Sequence, residues 1–316
     1  MIRCLCCNKE IKNPSEYEKN VMWHDKCIHS FFGTKTLPEI DLSDEQLKRL
    51  ANLAVQRGFT VPGVQKKLSL QLDNSENKTR LTIVDYPARF ILKPQSDEYN
   101  FLPEAEYMVM KMAEEAKIKT VPNAMVWMNG KYAYITKRID RKSGQLYAME
   151  DFCQLSGRMT EDKYRGSYEN CAKVIKQYSR NYGLDLTDFY YRLLFCFITG
   201  NSDMHFKNFS LIEDLPGSRQ FGLSEAYDLL PVNILVPQDT EQMALTVNGK
   251  KRNIRKKDFL LLAERLDITK KTAERLMQEL LKHKPQFVSI VEQSYISEDL
   301  KTEMIQLIEQ RASVLL

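Results

Sequence analysis

The sequence predicts an α+β protein of two lobes, strand-rich first and helical second, preceded by a small zinc-ribbon-like segment. Three observations carry this reading. At 316 residues the chain exceeds the length at which one hydrophobic core usually divides, and 43% hydrophobic residues suffice for two cores. Between about residues 67 and 136, short runs alternate apolar and polar side chains, the period of half-buried strands. Beyond about residue 150 the pattern turns helical. The expected parts are 1–36, 37–140 and 141–316, with no internal repeat or low-complexity tract.

In chain order, Cys4-x2-Cys7 is followed by His24-x2-Cys27, two ligand pairs at the spacing of a structural zinc site in a segment too short for its own core. Ordinary reduced thiols are the alternative, with Cys6 or His29 as substitute ligands. Seven cysteines, an odd number without a secretory leader ahead of them, point to a reducing, cytoplasmic setting. Ser43-Asp-Glu-Gln46 fits a capping box and Gly58 a helix stop, which predicts a helix over 43–57. Strands are expected at Lys67–Leu72, Arg80–Val84 and Arg89–Lys93. A helix from Pro103 to about Ile118 follows, with Glu106 able to pair with Lys93. Ala124–Met128 and Lys131–Thr136 flank Asn129-Gly130, a strong short hairpin signal. Asp188–Thr199 is apolar nearly all round, as in a helix buried beneath an active site. Its apolar run is too short to span a bilayer and contains Arg192, so it belongs to a core and not to a membrane. Helices are expected near 256–266, 269–282 and 297–312.

The chemistry concentrates in Gly200-Asn-Ser-Asp-Met-His-Phe-Lys-Asn208, which sets an aspartate five positions before an asparagine in a polar loop. Phosphoryl transfer uses this spacing: the aspartate accepts the substrate hydroxyl's proton and the asparagine holds a magnesium ion on the nucleotide phosphates. Asp203 reads as the base and Asn208 as the metal ligand. A lone Asp-x4-Asn also fits a loop that caps a helix and turns a hairpin, so the surroundings decide. Asp228, in the apolar setting Ala-Tyr-Asp-Leu-Leu, suits a second magnesium ligand, and Lys93 at a strand end suits phosphate charge. Strand lysine, helix glutamate, Asp-x4-Asn and a later aspartate follow one another in the order of protein kinases.

On these residues the chain resembles the HipA family of serine/threonine kinases, the toxin components of bacterial toxin–antitoxin pairs. The matching blocks are Thr60–Lys67, Phe90–Lys93, Thr136–Arg141, Glu150–Gln154, Gly200–Ser210 and Tyr227-Asp228, over roughly residues 58–316. The resemblance implies a two-lobed, protein-kinase-like fold that binds ATP and Mg2+. It makes Asp203 the base, with Asn208 and Asp228 on magnesium and Lys93 on the phosphates. His205 and Lys207 would serve the γ-phosphate side. Gly63, Gln65 and Lys67 match the phosphate-covering loop, residues 137–140, including Lys137 and Ile139, match the adenine-receiving hinge, and Asp140 falls near the ribose. Thr60 stands where the family places an autophosphorylated serine. A phosphate there adds up to about two negative charges beside the nucleotide, and a surface threonine that starts a strand is the alternative. Full-length members carry an extra N-terminal subdomain that the chain lacks, so it resembles short members whose subdomain is a separate protein. Known relatives phosphorylate aminoacyl-tRNA synthetases, and an antitoxin partner is implied.

A net charge of +4 is too mild to demand nucleic acid. The segment Asn248–Lys257 packs six basic residues, which suit tRNA on a tRNA-bound substrate or DNA held by an antitoxin, or else a solvated turn. Two other classes fit the same residues: a kinase of small molecules, and a non-catalytic pseudokinase that partners a DNA-binding repressor.

Overall fold

A computed structural model describes residues 2–40, 67–73, 79–84, 88–96, 98–142 and 144–316. The expected helix over 43–57 lies outside the described residues, as do Thr60, Gly63 and Gln65. The chain divides into two compact units, Met1–Tyr107 with Val121–Arg138, and Met108–Thr120 with Ile139–Leu316.

The first unit is built on an antiparallel sheet of β1 (Leu68–Asp73), β2 (Arg80–Ile83), β3 (Phe90–Lys93), β4 (Asn123–Met128) and β5 (Lys131–Lys137), in the order β2-β1-β3-β5-β4. The β4–β5 turn is Asn129-Gly130, at φ 49° and 74°; these paired left-handed values match the twist of the strands they join. Ahead of the sheet lie α1 (Glu16–Val21), opened by a Ser15/Glu18 capping box, and α2 (Asp25–Phe32), closed by Gly33 at φ 77°. Neither helix can bury much by itself, and their aromatics pack onto the sheet: the rings of Phe31 and Phe32 lie 6.0 and 5.4 Å from that of Phe90. Helix α3 (Leu102–Glu115) follows β3 and is buried along most of its length.

The second unit holds the small hairpin of β6 (Arg141–Lys142) and β7 (Gln145–Leu146), then β8 (Met149–Asp151), α4 (Phe152–Leu155), α5 (Tyr168–Tyr178) and α6 (Tyr182–Ile198). It continues through β9 (Ser210–Glu213), β10 (Phe221–Leu223), α7 (Val232–Leu235), α8 (Lys256–Arg265), α9 (Lys270–Lys282), α10 (Lys284–Glu292) and α11 (Glu298–Leu315). Helix α6 buries ten residues from Leu186 to Ile198, Arg192 among them, and packs against α5, α9 and α11. Arg192 is tolerated there because its guanidinium donates to the Ser224 carbonyl at 2.6 Å.

Three features depart from expectation. Helix α6 starts at Tyr182, not Asp188, because a first turn holding Gly183 and lacking a side-chain cap bond gives no start signal. A three-stranded sheet, order β10-β9-β8, sits in the unit expected to be helical; its strands of three and four residues are too short to show an alternating period. Helix α10 follows α9 at once through His283, with proline in its first turn. No described helix is long and apolar enough to cross a membrane.

Candidate active site

In the second unit the loop after α6 is set by backbone constraints. Gly200 has φ +68°, which favours glycine, and a Cβ there would stand 2.4 Å from Leu307 Cδ2, so that leucine's end would have to shift. Asn201, fully buried, accepts the Asp203 amide on Oδ1 at 3.2 Å. The Asp203 carbonyl in turn accepts the His205 amide and the Asn208 side-chain amide, each at 2.8 Å. Asp203 and Asn208 are thereby tied to one another, and the bond uses the asparagine nitrogen, not its oxygen. A further clasp runs from Ser202 Oγ to Asp239 Oδ2 at 2.6 Å and through Asn233 to Arg311.

The Asp203 carboxylate is 43% exposed, and its Oδ1 accepts the hydroxyl of Tyr164. His205 Nε2 lies 3.9 Å from the same oxygen, and its ring meets that of Tyr164 edge-on at 4.8 Å. Burial, and then the charge and hydrogen bond of Asp203, push the Tyr164 hydroxyl well above the usual tyrosine range, so it remains a donor. Lys207 Nζ reaches Asp151 Oδ2 at 3.0 Å, while Asp151 Oδ1 caps α4 by accepting the Gln154 amide at 2.9 Å. Tyr227 donates to the Lys207 carbonyl at 3.1 Å and lies 2.6 Å from Ser210 Oγ. That fastens the segment carrying Asp228, half-buried and left-handed at φ +56°, to the two ends of the stretch around Asn208.

In the first unit Lys93 and Glu106 form an ion pair at 2.6 Å, with side chains 4% and 0% exposed, and the ammonium lies 5.3 Å from the centre of the Tyr134 ring. Such a pair resists disruption because removing one partner of a buried ion pair is strongly destabilising. Lys67 is exposed just before β1. Lys137, at the end of β5, donates to the Ser30 carbonyl at 3.1 Å and lies over Phe31 at 5.1 Å; burial, then Arg89, lowers its pKa. Ile139 and Asp140, in the second unit, are buried, and the Asp140 carbonyl accepts the Tyr147 amide at 2.9 Å.

The ligand atoms of Cys4, Cys7, His24 and Cys27 all lie within 4.8 Å of one another. None of the seven cysteines is in a disulfide. In the basic segment, half of the six cations are engaged within their own unit: Lys250 with Asp258 at 2.8 Å, Lys251 with Glu241 at 3.1 Å and Lys256 with the Leu316 carbonyl at 2.6 Å. This favours the solvated turn over a nucleic-acid patch.

The structure thus brings Asp203, His205 and Asn208 together, joins Lys207 and Asp228 to the same loop through Asp151 and Tyr227, and separately pairs Lys93 with Glu106. Sequence reasoning missed Tyr164 and Asn201. Asn201 sits inside the loop motif, whereas nothing in sequence links Tyr164 to an aspartate 39 residues away.

A family described as the HipA-like C-terminal domain matches residues 59–287. A Haemophilus influenzae protein named "Putative kinase" is 26% identical over 272 residues, covering 76% of this chain and 77% of its own length. A Sinorhizobium fredii protein named "Putative kinase Y4dM" is 30% identical over 233 residues, 67% of this chain and 55% of its own, so the chain spans about half of that relative. Among solved structures, Shewanella oneidensis HipA in complex with HipB and operator DNA aligns with a TM-score of 0.67 at 18% identity, over 84% of this chain and 72% of that one. The Helicobacter pylori proinflammatory kinase CtkA aligns with a TM-score of 0.56 at 16% identity, over 77% and 93%. At such identities the two structures speak to the fold.

Proposed function

The chain belongs to the HipA-like C-terminal domain family, and from that premise we propose that it is an ATP- and magnesium-dependent serine/threonine protein kinase of the HipA toxin type. The observation that carries the reading is the bond from the Asn208 side chain to the Asp203 carbonyl, which holds a base and a metal ligand in one rigid loop. Asp203 accepts the proton of the attacking hydroxyl; its carboxylate is exposed enough to meet a substrate and is oriented by Tyr164. His205, buried against that carboxylate, positions it, and Lys207, held by Asp151, adds positive charge at the loop's far end. Asn208 and Asp228 are the magnesium ligands, and this donor set suits the ion: a carboxylate and an amide oxygen, both hard. Bound magnesium supplies charge neutralisation on the phosphates.

Lys93 contacts the nucleotide phosphates with Glu106 fixing its direction, as a short, buried ion pair does. Lys67, with Gly63 and Gln65, covers the phosphates, the backbone of 137–140 receives adenine, and Asp140 takes the ribose. Catalysis in this scheme is positioning and charge stabilisation, with no covalent intermediate on the protein. Autophosphorylation of Thr60 switches the enzyme off by ejecting the phosphate-covering loop.

The proposed substrate is a translation component such as an aminoacyl-tRNA synthetase. Control by an antitoxin is supported by the Shewanella neighbour, whose structure is a complex with HipB and operator DNA; DNA would be met through that partner only. The proposed setting is cytoplasmic. Incubation with γ-labelled ATP and a whole-cell extract tests the reading. One labelled protein band is expected, carrying phosphoserine or phosphothreonine. Label confined to small molecules would replace the protein substrate with a metabolite or antibiotic, and no transfer at all would refute the kinase.

A further inference from the structure

We propose that Cys4, Cys7, His24 and Cys27 bind one zinc ion, and that this ion fastens the helix bearing Glu106 to the sheet of the first unit. This goes beyond the kinase reading, since nothing in phosphoryl transfer calls for the cluster. Three sulfurs and one imidazole nitrogen within 4.8 Å form the closed, four-ligand set of a structural zinc site. Cys4 is fully buried and Cys27 nearly so. The His24 ring nitrogen Nδ1 lies 3.5 Å from Cys7 Sγ and 3.8 Å from Cys27 Sγ, and the His24 amide donates to Cys4 Sγ at 3.4 Å. An amide donating to sulfur is the support a metal thiolate uses. Among the described residues the surrounding segment forms helices of six and eight residues, too short to be stable alone, so an ion would add to the packing of Trp23, Phe31 and Phe32.

The contacts around the cluster give it a task. The Cys4 carbonyl accepts the Tyr107 hydroxyl at 3.3 Å, and Tyr107 is the neighbour of Glu106 on α3. The residue after Cys4 and the residue before His24 both grip Met125: its amide donates to the Leu5 carbonyl at 2.8 Å, and its carbonyl accepts Trp23 Nε1 at 3.1 Å. Strand β4 stands at the end of the sheet order, so these two bonds cap an edge that would otherwise offer unpaired backbone groups. One ion therefore joins two short stretches, each bonded to β4, and one of them is bonded also to the helix that presents Glu106 to Lys93. Without the ion the two stretches are joined by the intervening loop, helix α1 and a single backbone bond, from the Leu5 amide to the Met22 carbonyl at 2.8 Å. The seat of Tyr107 then loosens, and with it the ion pair.

Metal analysis of the full-length protein should find about one zinc per chain, lost to below half an equivalent in Cys7→Ser. Hydrogen exchange then tests the fastening, comparing the zinc-loaded protein with the same protein after chelation. Amides of α3 should exchange at least tenfold faster after chelation, with those of α9 unchanged. Tyr107→Phe should keep its zinc and still speed exchange in α3, which covers the case in which Cys7→Ser fails to fold. Less than half an equivalent of zinc in the wild type, iron in its place, or unchanged α3 exchange after complete chelation would overturn the proposal. Neither measurement involves nucleotide, so the result is independent of whether the kinase reading holds.

Discussion

Lys93 and Glu106 meet with 4% and 0% of their side chains exposed, whereas the Asp203 carboxylate is 43% exposed and leans on a tyrosine. The dry pair gains from a low effective dielectric, and losing either member removes a short buried charge–charge contact, so it is suited to fixing geometry. The wet carboxylate spends little on desolvation and can meet a partner from outside. It is suited to proton transfer, which needs access as well as orientation. One unit holds a dry ion pair fixed by burial, and the other presents an exposed carboxylate in a hydrogen-bonded loop.

Substitutions can break or sharpen this contrast. A large effect on turnover is expected from Asp228→Asn, which removes the proposed magnesium ligand and should lower phosphotransfer at saturating ATP by about a hundredfold, with little change in melting temperature. On the dry side the loss should appear in stability. Lys93→Met removes the ammonium 2.6 Å from the buried Glu106 carboxylate and should cost about 3–5 kcal/mol in denaturant unfolding, while Lys93→Met combined with Glu106→Leu should recover much of it. If the double variant is as damaged as the single one, the pair is not held by mutual charge.

Tyr164→Phe removes the hydroxyl that orients Asp203 and should reduce turnover about tenfold while leaving ATP affinity unchanged. An unaltered rate would make the tyrosine a bystander. The smallest effect concerns Glu104, a second buried acid of the first unit. Burial raises its pKa, against which the Gln95 amide bonds at 2.8 and 2.9 Å work. Because the folded pKa lies above the unfolded one, folding takes up a proton: this contribution is fully present below the unfolded pKa of about 4.3 and is lost as pH rises through the folded value. Glu104→Gln should therefore flatten the decline of melting temperature with rising pH across that window by a few degrees.

What sequence could reveal follows from how local each feature is. The β4–β5 hairpin was legible because Asn129-Gly130 alone dictates its turn, and the loop around Asp203 because its internal ties, from Asn201 to Asn208, span at most five residues. The Cys/His cluster was legible because each ligand pair has its own short spacing. Tyr164 on Asp203, Lys207 on Asp151 and Ser202 on Asp239 bridge 39, 56 and 37 residues, and no local pattern encodes such meetings. The short strands β8, β9 and β10 were hidden for a different reason: they gain their order from one another and from the helices around them, not from their own periodicity.

The central claim is that this loop transfers the γ-phosphate of ATP with Asp203 as base. The most direct measurement is label transfer from γ-labelled ATP by the wild type and by Asp203→Asn, with the ATP dissociation constant of each determined alongside. The account predicts that the variant loses transfer by three orders of magnitude or thereabouts, on the order expected for a general base, while binding Mg–ATP within about threefold of the wild type. Full transfer by Asp203→Asn would contradict it.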